Sequence, residues 1–152
     1  MRRKIYVTLG AIAMISAVLA MGLAGCGALR APNPIEQDVF IQEAEERGFD
    51  VSEDGEWTVA AIGYVTVRIK QFDDAAEARR EHDRMRRDLS NEFRSRSRSS
   101  ETSGSNHNSW VFNAGGNHIR LWRVHDVVVY GRGRTADRDS MSDFFGAFII
   151  RN

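Results

Sequence analysis

The sequence predicts an α+β domain: an antiparallel four-strand sheet with about three helices packed largely on one face, after an N-terminal signal helix. Three observations carry this. Residues 57–69 alternate with period two, the mark of a strand with one buried face. Apolar residues recur at spacings of three and four in separate stretches, most regularly at Met141, Phe144, Phe145, Phe148 and Ile149. The resulting order of helix, strand, helix, three-strand meander and helix suits an antiparallel sheet, without determining the order of its strands.

The chain opens with Arg2, Arg3 and Lys4, continues through an apolar run over residues 5–20, and then turns to small residues; no acidic residue precedes Glu36. A cationic start, an apolar segment and a small-residue processing site, in that order, make an export signal. The alternative is an uncleaved anchor, since roughly 20 apolar residues span a bilayer. Either reading leaves the cationic start inside and the rest of the chain outside the cytoplasm.

Asn33 then reads as a helix N-cap, with Pro34 at the first helical position and Glu36 as capping-box partner. Ile35, Val39, Phe40 and Ala44 form its apolar face, and Gly48 stops it. Its outer face is acidic, with Glu36, Asp38, Glu43, Glu45 and Glu46 against Arg47. A polar turn follows over residues 52–56. The strand over 57–69 is bent at Gly63, and Asp74 with Glu77 caps a second helix. That helix has a narrow stripe of Ala75, Ala78, His82, Met85, Leu89 and Phe93 among many charges.

Residues 94–109 alternate Ser and Arg and then run through Ser, Thr, Gly, Asn and His, which predicts a flexible loop. Trp110, Val111 and Phe112 restart regular structure, Gly115 and Gly116 turn the chain, and a strand returns over 119–124. His125-Asp126 forms a two-residue turn into Val127, Val128, Val129 and Tyr130. Gly131-Arg132-Gly133-Arg134 reads as an exposed strand end, and Thr135 or Asp137 caps the last helix.

Leu23, Ala24, Gly25 and Cys26 resemble the lipobox of bacterial lipoproteins, and Cys26 is the one cysteine of the chain. The resemblance implies a diacylglyceryl group on the Cys26 sulfur, removal of residues 1–25 as signal peptide, acylation (palmitate or a similar chain) and an extracytoplasmic cell-envelope protein held to a membrane by lipid. Each buried CH2 contributes about 0.8 kcal/mol, so two or three chains hold where one releases. Residues 26–33 are then the lipidated cysteine and its tether, and 34–152 a single α+β domain. Gly27 is not the aspartate that retains Gram-negative lipoproteins at the inner membrane, which leaves a Gram-positive plasma membrane or a Gram-negative outer membrane. From about Phe40 to Ile149 the layout is also similar to small Gram-positive lipoproteins of unassigned function. Phe40, Ala44, Gly48, Phe49, the Ser-rich stretch 99–105 and residues 124–130 carry that likeness, which implies no activity.

Removing residues 1–25 leaves 127 residues with a side-chain charge of −3, mildly acidic and ill-suited to nucleic acid. With Cys26 lipidated, no disulfide forms, so stability comes from the core alone. His82, His107, His118 and His125 lack zinc-site spacing and read as rim histidines, so neither a metal nor another cofactor is expected. The sequence has no nucleophile elbow, zincin motif or P-loop. Asp50, Glu53, Asp54 and Glu56 offer paired carboxylates for an envelope-directed hydrolase, but a solvated turn accounts for them too.

Arginines dominate what remains. Arg79, Arg80, Arg84, Arg86 and Arg87 crowd the second helix, and Arg120 and Arg123 flank Trp122 on a strand. A solvated helix face is the plain reading. The functional one is a binding flank for an anionic envelope component or an acidic protein, with Trp122 exposed beside guanidinium groups. The expected role is a non-catalytic binding or interaction module, not an enzyme, with a purely structural surface protein as a further alternative.

Overall fold

The computed structural model describes residues 35–93 and 98–149, which belong to one compact unit spanning 31–152. The signal peptide, the lipobox of Leu23, Ala24, Gly25 and Cys26, and Asn33 lie outside the described residues; the first helix starts later than expected, at Gln37, with Glu36 as an extended N-cap residue whose side chain makes no capping hydrogen bond.

The four-strand expectation is overturned: the sheet has seven antiparallel strands. They are β1 (Asp50–Asp54), β2 (Trp57–Ile62), β3 (Val65–Gln71), β4 (Arg98–Ser103), β5 (His107–Ala114), β6 (Asn117–Val124) and β7 (Val127–Arg134), in the spatial order β1-β2-β3-β7-β6-β5-β4. Helix α1 (Gln37–Glu46) precedes β1, α2 (Ala75–Glu92) joins β3 to β4, and α3 (Arg138–Ile149) follows β7 through a short 3-10 turn, Thr135–Asp137.

Two readings account for the missing strands. The stretch 57–69 is a hairpin, not one bent strand: Ile62 pairs with Val65 across a two-residue turn whose first residue, Gly63, has φ +56°. The register sets Thr58 opposite Ile69, so the odd-numbered residues of β2 and β3 point to opposite faces. Residues 52–54, expected within a polar turn, instead belong with Asp50 and Val51 to an edge strand paired with β2. Likewise residues 94–109 are not simply a loop, because β4 and the start of β5 form there. An edge strand needs backbone partners on one side only, and polar side chains on it oppose unwanted pairing; the Ser-rich composition is compatible with that role.

The helices are also not gathered on one face. Helices α1 and α3 cover one side of the sheet, where Phe40, Ala44, Phe49, Met141, Phe144 and Phe145 join Val65, Val67, Ile69, Val127 and Val129 in one core. Helix α2 covers the other side, where Ala78 and Leu89 meet Trp110, Phe112, Ile119, Leu121 and Val128. Val127, Val128 and Val129 are all buried, as expected of a strand covered on both faces.

Local chemistry fixes the helix ends. Phe49 N–H donates to the Ala44 carbonyl and Gly48 N–H to that of Glu45, each at 2.9 Å, the Schellman closure of α1. Asp74 caps α2 by accepting from Glu77 N–H at 2.7 Å. The glycines of β7 are buried, not an exposed strand end. A Cβ on Gly131 would lie 2.6 Å from the Phe145 ring and 2.9 Å from the Met141 sulfur, so this glycine lets α3 approach the sheet. The side chains of Phe148 and Ile149 lie outside the description.

Candidate functional site

The alternation of inner and outer positions along α2 divides its side chains. Ala78, His82 and Leu89 are buried against the sheet, whereas Arg79, Arg80, Arg84 and Arg87 are exposed. Arg84 is neutralised within the helix by Glu81 at 2.6 Å, with Asp88 at 3.8 Å. Asp83 to Arg87 spacing permits a pair, but the pairs formed are these. Arg86 leans off the helix to Glu101 on β4 at 2.5 Å. Arg79, Arg80 and Arg87 have no acidic partner among the described residues.

Two depressions border these cations. Between the C-terminal half of α2 and strands β4 and β5 lies a cleft of about 560 Å³. Trp110 and Phe112, stacked with centroids 4.9 Å apart, line it from the sheet; Arg86, Arg87, Ser90 and Asn91 line it from α2, and Ser99 and Glu101 from β4. Near the start of α2, a hollow of about 370 Å³ collects Arg79, Arg80 and Arg123 with Ser105.

The remaining expected site residues divide. Arg123 is 2% exposed. Its Nε donates to Asn108 Oδ1 at 2.8 Å and its terminal nitrogens to the carbonyls of His125 (3.0 Å) and Ser105 (3.5 Å). It ties the β4–β5 and β6–β7 turns together, which gives this arginine a structural role at the floor of the hollow. Arg120 and Trp122 lie on the opposite, α1/α3 face, by the pairing of Trp122 with Val129 and Arg120 with Gly131. Trp122 is half-buried, edge-on to Phe145 at 5.8 Å, so it is not an exposed platform. The Arg120 guanidinium sits 5.6 Å from the Trp122 ring and 5.5 Å from that of Phe145, and burial lowers its pKa. The stacking explains how a half-buried cation without a carboxylate is tolerated.

The histidine reading is corrected in the same way. His82 and His118 are buried, not rim residues. His82 Nδ1 is 3.3 Å from Asp83 Oδ1, and His118 Nδ1 is 2.7 Å from Asn113 Oδ1. The other ring nitrogen of each is buried without a hydrogen-bond partner. Burial depresses both pKa values, opposed at His82 by Asp83 and reinforced at His118 by Arg120.

Asp50, Glu53, Asp54 and Glu56 are exposed on the β1 edge and its turn. Asp54 pairs with Arg68 at 3.2 Å, and Glu56 pairs with Lys70 at 2.6 Å. The Lys70 hydrogen bond and charge lower the Glu56 pKa, the opposite of what a general acid needs. Strands β2, β3 and β7 separate β1 from His118 on β6. Among the described residues, no group of three or more His, Cys, Asp and Glu is placed to hold a metal, and no helix is long and apolar enough to cross a membrane.

Sequence reasoning missed a further set of cations. Arg68 on β3 and Arg132 and Arg134 on β7 line a groove on the α2 side of the sheet. The available signal was the Gly-Arg-Gly-Arg alternation over 131–134, which at strand period sends both arginines to one face.

No protein-family model matches the chain, and no curated protein matches it. Among solved structures, the chain is similar in fold to a GTP binding regulator from Thermotoga maritima, with a TM-score of 0.50 and 14% identity, covering 77% of this chain and 90% of that one. At that identity the similarity is one of fold alone.

Proposed function

We propose that the chain is a lipid-anchored protein of the bacterial cell envelope, held outside the cytoplasm through Cys26 and acting as a non-catalytic binding module for an anionic envelope component or an acidic protein. The observation that carries the anchor is the order Leu23, Ala24, Gly25 and Cys26 behind a cationic and then apolar start. The α2 face supports the binding role. Arg79, Arg80 and Arg87 are exposed cations without a carboxylate beside them among the described residues, in a module whose side chains after Gly25 sum to −3. The helix carries five arginines and five carboxylates and so has no net charge, but the three arginines left outside its ion pairs give an anionic partner local points of approach.

Metabolic labelling of the full chain with an alkyne analogue of palmitate tests the anchor. The label is expected on the wild type and lost in Cys26→Ser. An unlabelled wild-type product with a free thiol in the cytosol sinks the reading. The binding role is tested separately by salt titration of adsorption to anionic vesicles, where adsorption indifferent to salt rejects it.

A further inference from the structure

On the α2 side of the sheet, beyond the C-terminal end of α2, Tyr64, Arg68, Asn117, Tyr130, Arg132 and Arg134 surround a groove of about 400 Å³. We propose that this groove is a binding site for a phosphate ester whose ring or hydrocarbon portion lies against Tyr64 while Arg68, Arg132 and Arg134 hold the phosphate. The site is separate from the α2 arginines and stands whether or not the chain is lipid-anchored.

The first support is charge. Three guanidinium groups line the groove and no carboxylate does. Their acidic partners reach them from neighbouring elements: Asp54 of β1 to Arg68 at 3.2 Å, Glu92 of α2 to Arg132 at 3.5 Å, and Asp137 to Arg134 at 2.9 Å. Exposed ion pairs of this kind contribute little to stability, so a multiply charged ligand can take over the guanidinium donors. Phosphate suits them because a guanidinium fork donates two parallel hydrogen bonds to its oxygens. One donor is already unengaged: Arg68 Nε is buried without a hydrogen-bond partner.

The second support is the aromatic wall. Tyr64 is 68% exposed at the β2–β3 turn, with Ile62 beside it at 43%, the two exposed large hydrophobic residues among the described ones. The Arg134 guanidinium lies over the Tyr64 ring at 3.8 Å, which holds both in place at the mouth of the groove. The Arg132 guanidinium is similarly placed 5.5 Å from the Phe93 ring. Burial keeps the Tyr130 phenol protonated and able to donate.

Such an ester can be a soluble metabolite or a lipid headgroup, and one experiment separates them. The full chain is placed in phosphatidylcholine nanodiscs and titrated calorimetrically with phenyl phosphate, and with phenol as the uncharged control. A parallel preparation adds phosphatidylglycerol to the discs, read by NMR shifts of groove residues. Saturable binding of phenyl phosphate, absent for phenol, is the expected result. Removing a charged hydrogen-bonding partner weakens binding about tenfold, so Arg132→Gln and Arg134→Gln are each expected to do so, and Tyr64→Ala to a lesser extent. Arg47→Gln, at the end of α1 and outside both proposed sites, leaves it unchanged. Shifts confined to groove residues in phosphatidylglycerol discs, lost in Arg134→Gln, assign the ester to a headgroup. The proposal is overturned if neither probe engages the groove, or if groove variants bind as the wild type does. Arg134 and Tyr64 are exposed, so their variants keep the test valid should an Arg68 substitution fail to fold.

Discussion

The two faces of the sheet are built differently. On one, α1 and α3 meet over a ring cluster in which Phe144 lies 4.6 Å from Phe49 and 5.5 Å from Phe40. On the other, α2 stands alone. Seven strands at about 4.8 Å spacing span roughly 30 Å, whereas one helix with its side chains is about 10–12 Å across. A single helix over β6 and β7 therefore leaves sheet uncovered on both flanks, and there lie the Trp110 cleft and the Tyr64 groove. The aromatic face holds the fold together; the under-covered face is available to ligands.

The largest effects are expected on the aromatic face. Phe144→Ala is expected to cost about 3–5 kcal/mol, the range for truncating a buried aromatic ring. Leu89→Ala under α2 is expected to cost less, about 2–3 kcal/mol, since Leu89 stands at the edge of a smaller cluster. Urea unfolding of both variants checks the order, and equal losses would erase the distinction between the faces. Gly131→Ala belongs to the same group. Its new methyl meets Phe145 at 2.6 Å, so a loss of about 1–3 kcal/mol from overpacking is expected.

Two arginines of β6, three residues apart, sharpen the comparison. Arg123→Met leaves Asn108 Oδ1 and the His125 carbonyl without their donor and is expected to cost about 1–3 kcal/mol. Arg120→Met removes a guanidinium that, among the described residues, lies against two rings. It is expected to be neutral or stabilising, because the desolvation of a half-buried charge goes with it. Calorimetric melting of the two variants reads the difference directly.

The buried histidines give stability a pH dependence. Burial holds both pKa values below the ordinary value of about 6.5. Below that pH the unfolded chain binds protons that the native state excludes, so stability falls as pH drops through and below about 6.5. At His82 the facing charges are Asp83, which favours protonation, and Arg123 and Arg86, which oppose it. His82→Met is expected to lose less of its urea midpoint than the wild type between about pH 7.5 and about pH 5.5, and an identical loss would show that His82 is not responsible.

Much of this layout was legible, and what was not has physical reasons. The α3 pattern of Met141, Phe144 and Phe145, the Asp74 cap and the His125 turn could be read because each is a local signal. The second face was harder to read: Ala78, His82 and Leu89 make a thin stripe, and His82 is polar. Val127, Val128 and Val129 run apolar in sequence because β7 is buried on both faces, a signal that an arrangement with helices on one face leaves unused. The edge strands β1 and β4 carry no apolar alternation, since backbone pairing holds them, and their composition imitates loop. Arg123 could not be distinguished from a surface arginine, because its burial depends on turns brought together from β4–β5 and β6–β7. The Tyr64 groove draws Arg68 and Arg132 from segments 64 residues apart, so only strand order brings them together.

The smallest effect on stability is expected where the effect on binding is greatest. Arg79, Arg80 and Arg87 are exposed on α2 with no carboxylate beside them among the described residues. Glutamine has nearly the same helix propensity, so the triple Gln variant should unfold within about 0.5 kcal/mol of the wild type. A cation near an anionic bilayer contributes about 1 kcal/mol, so the same variant should bind phosphatidylglycerol vesicles about a hundredfold more weakly at low salt. Arg84 is the internal control. Glu81 and Asp88 already neutralise it, so Arg84→Gln should weaken adsorption far less than Arg87→Gln, one turn away on the same helix. Vesicle co-sedimentation across a salt series measures both. If the paired and unpaired arginines contribute equally, the vesicle responds to bulk charge, and α2 has no oriented binding face.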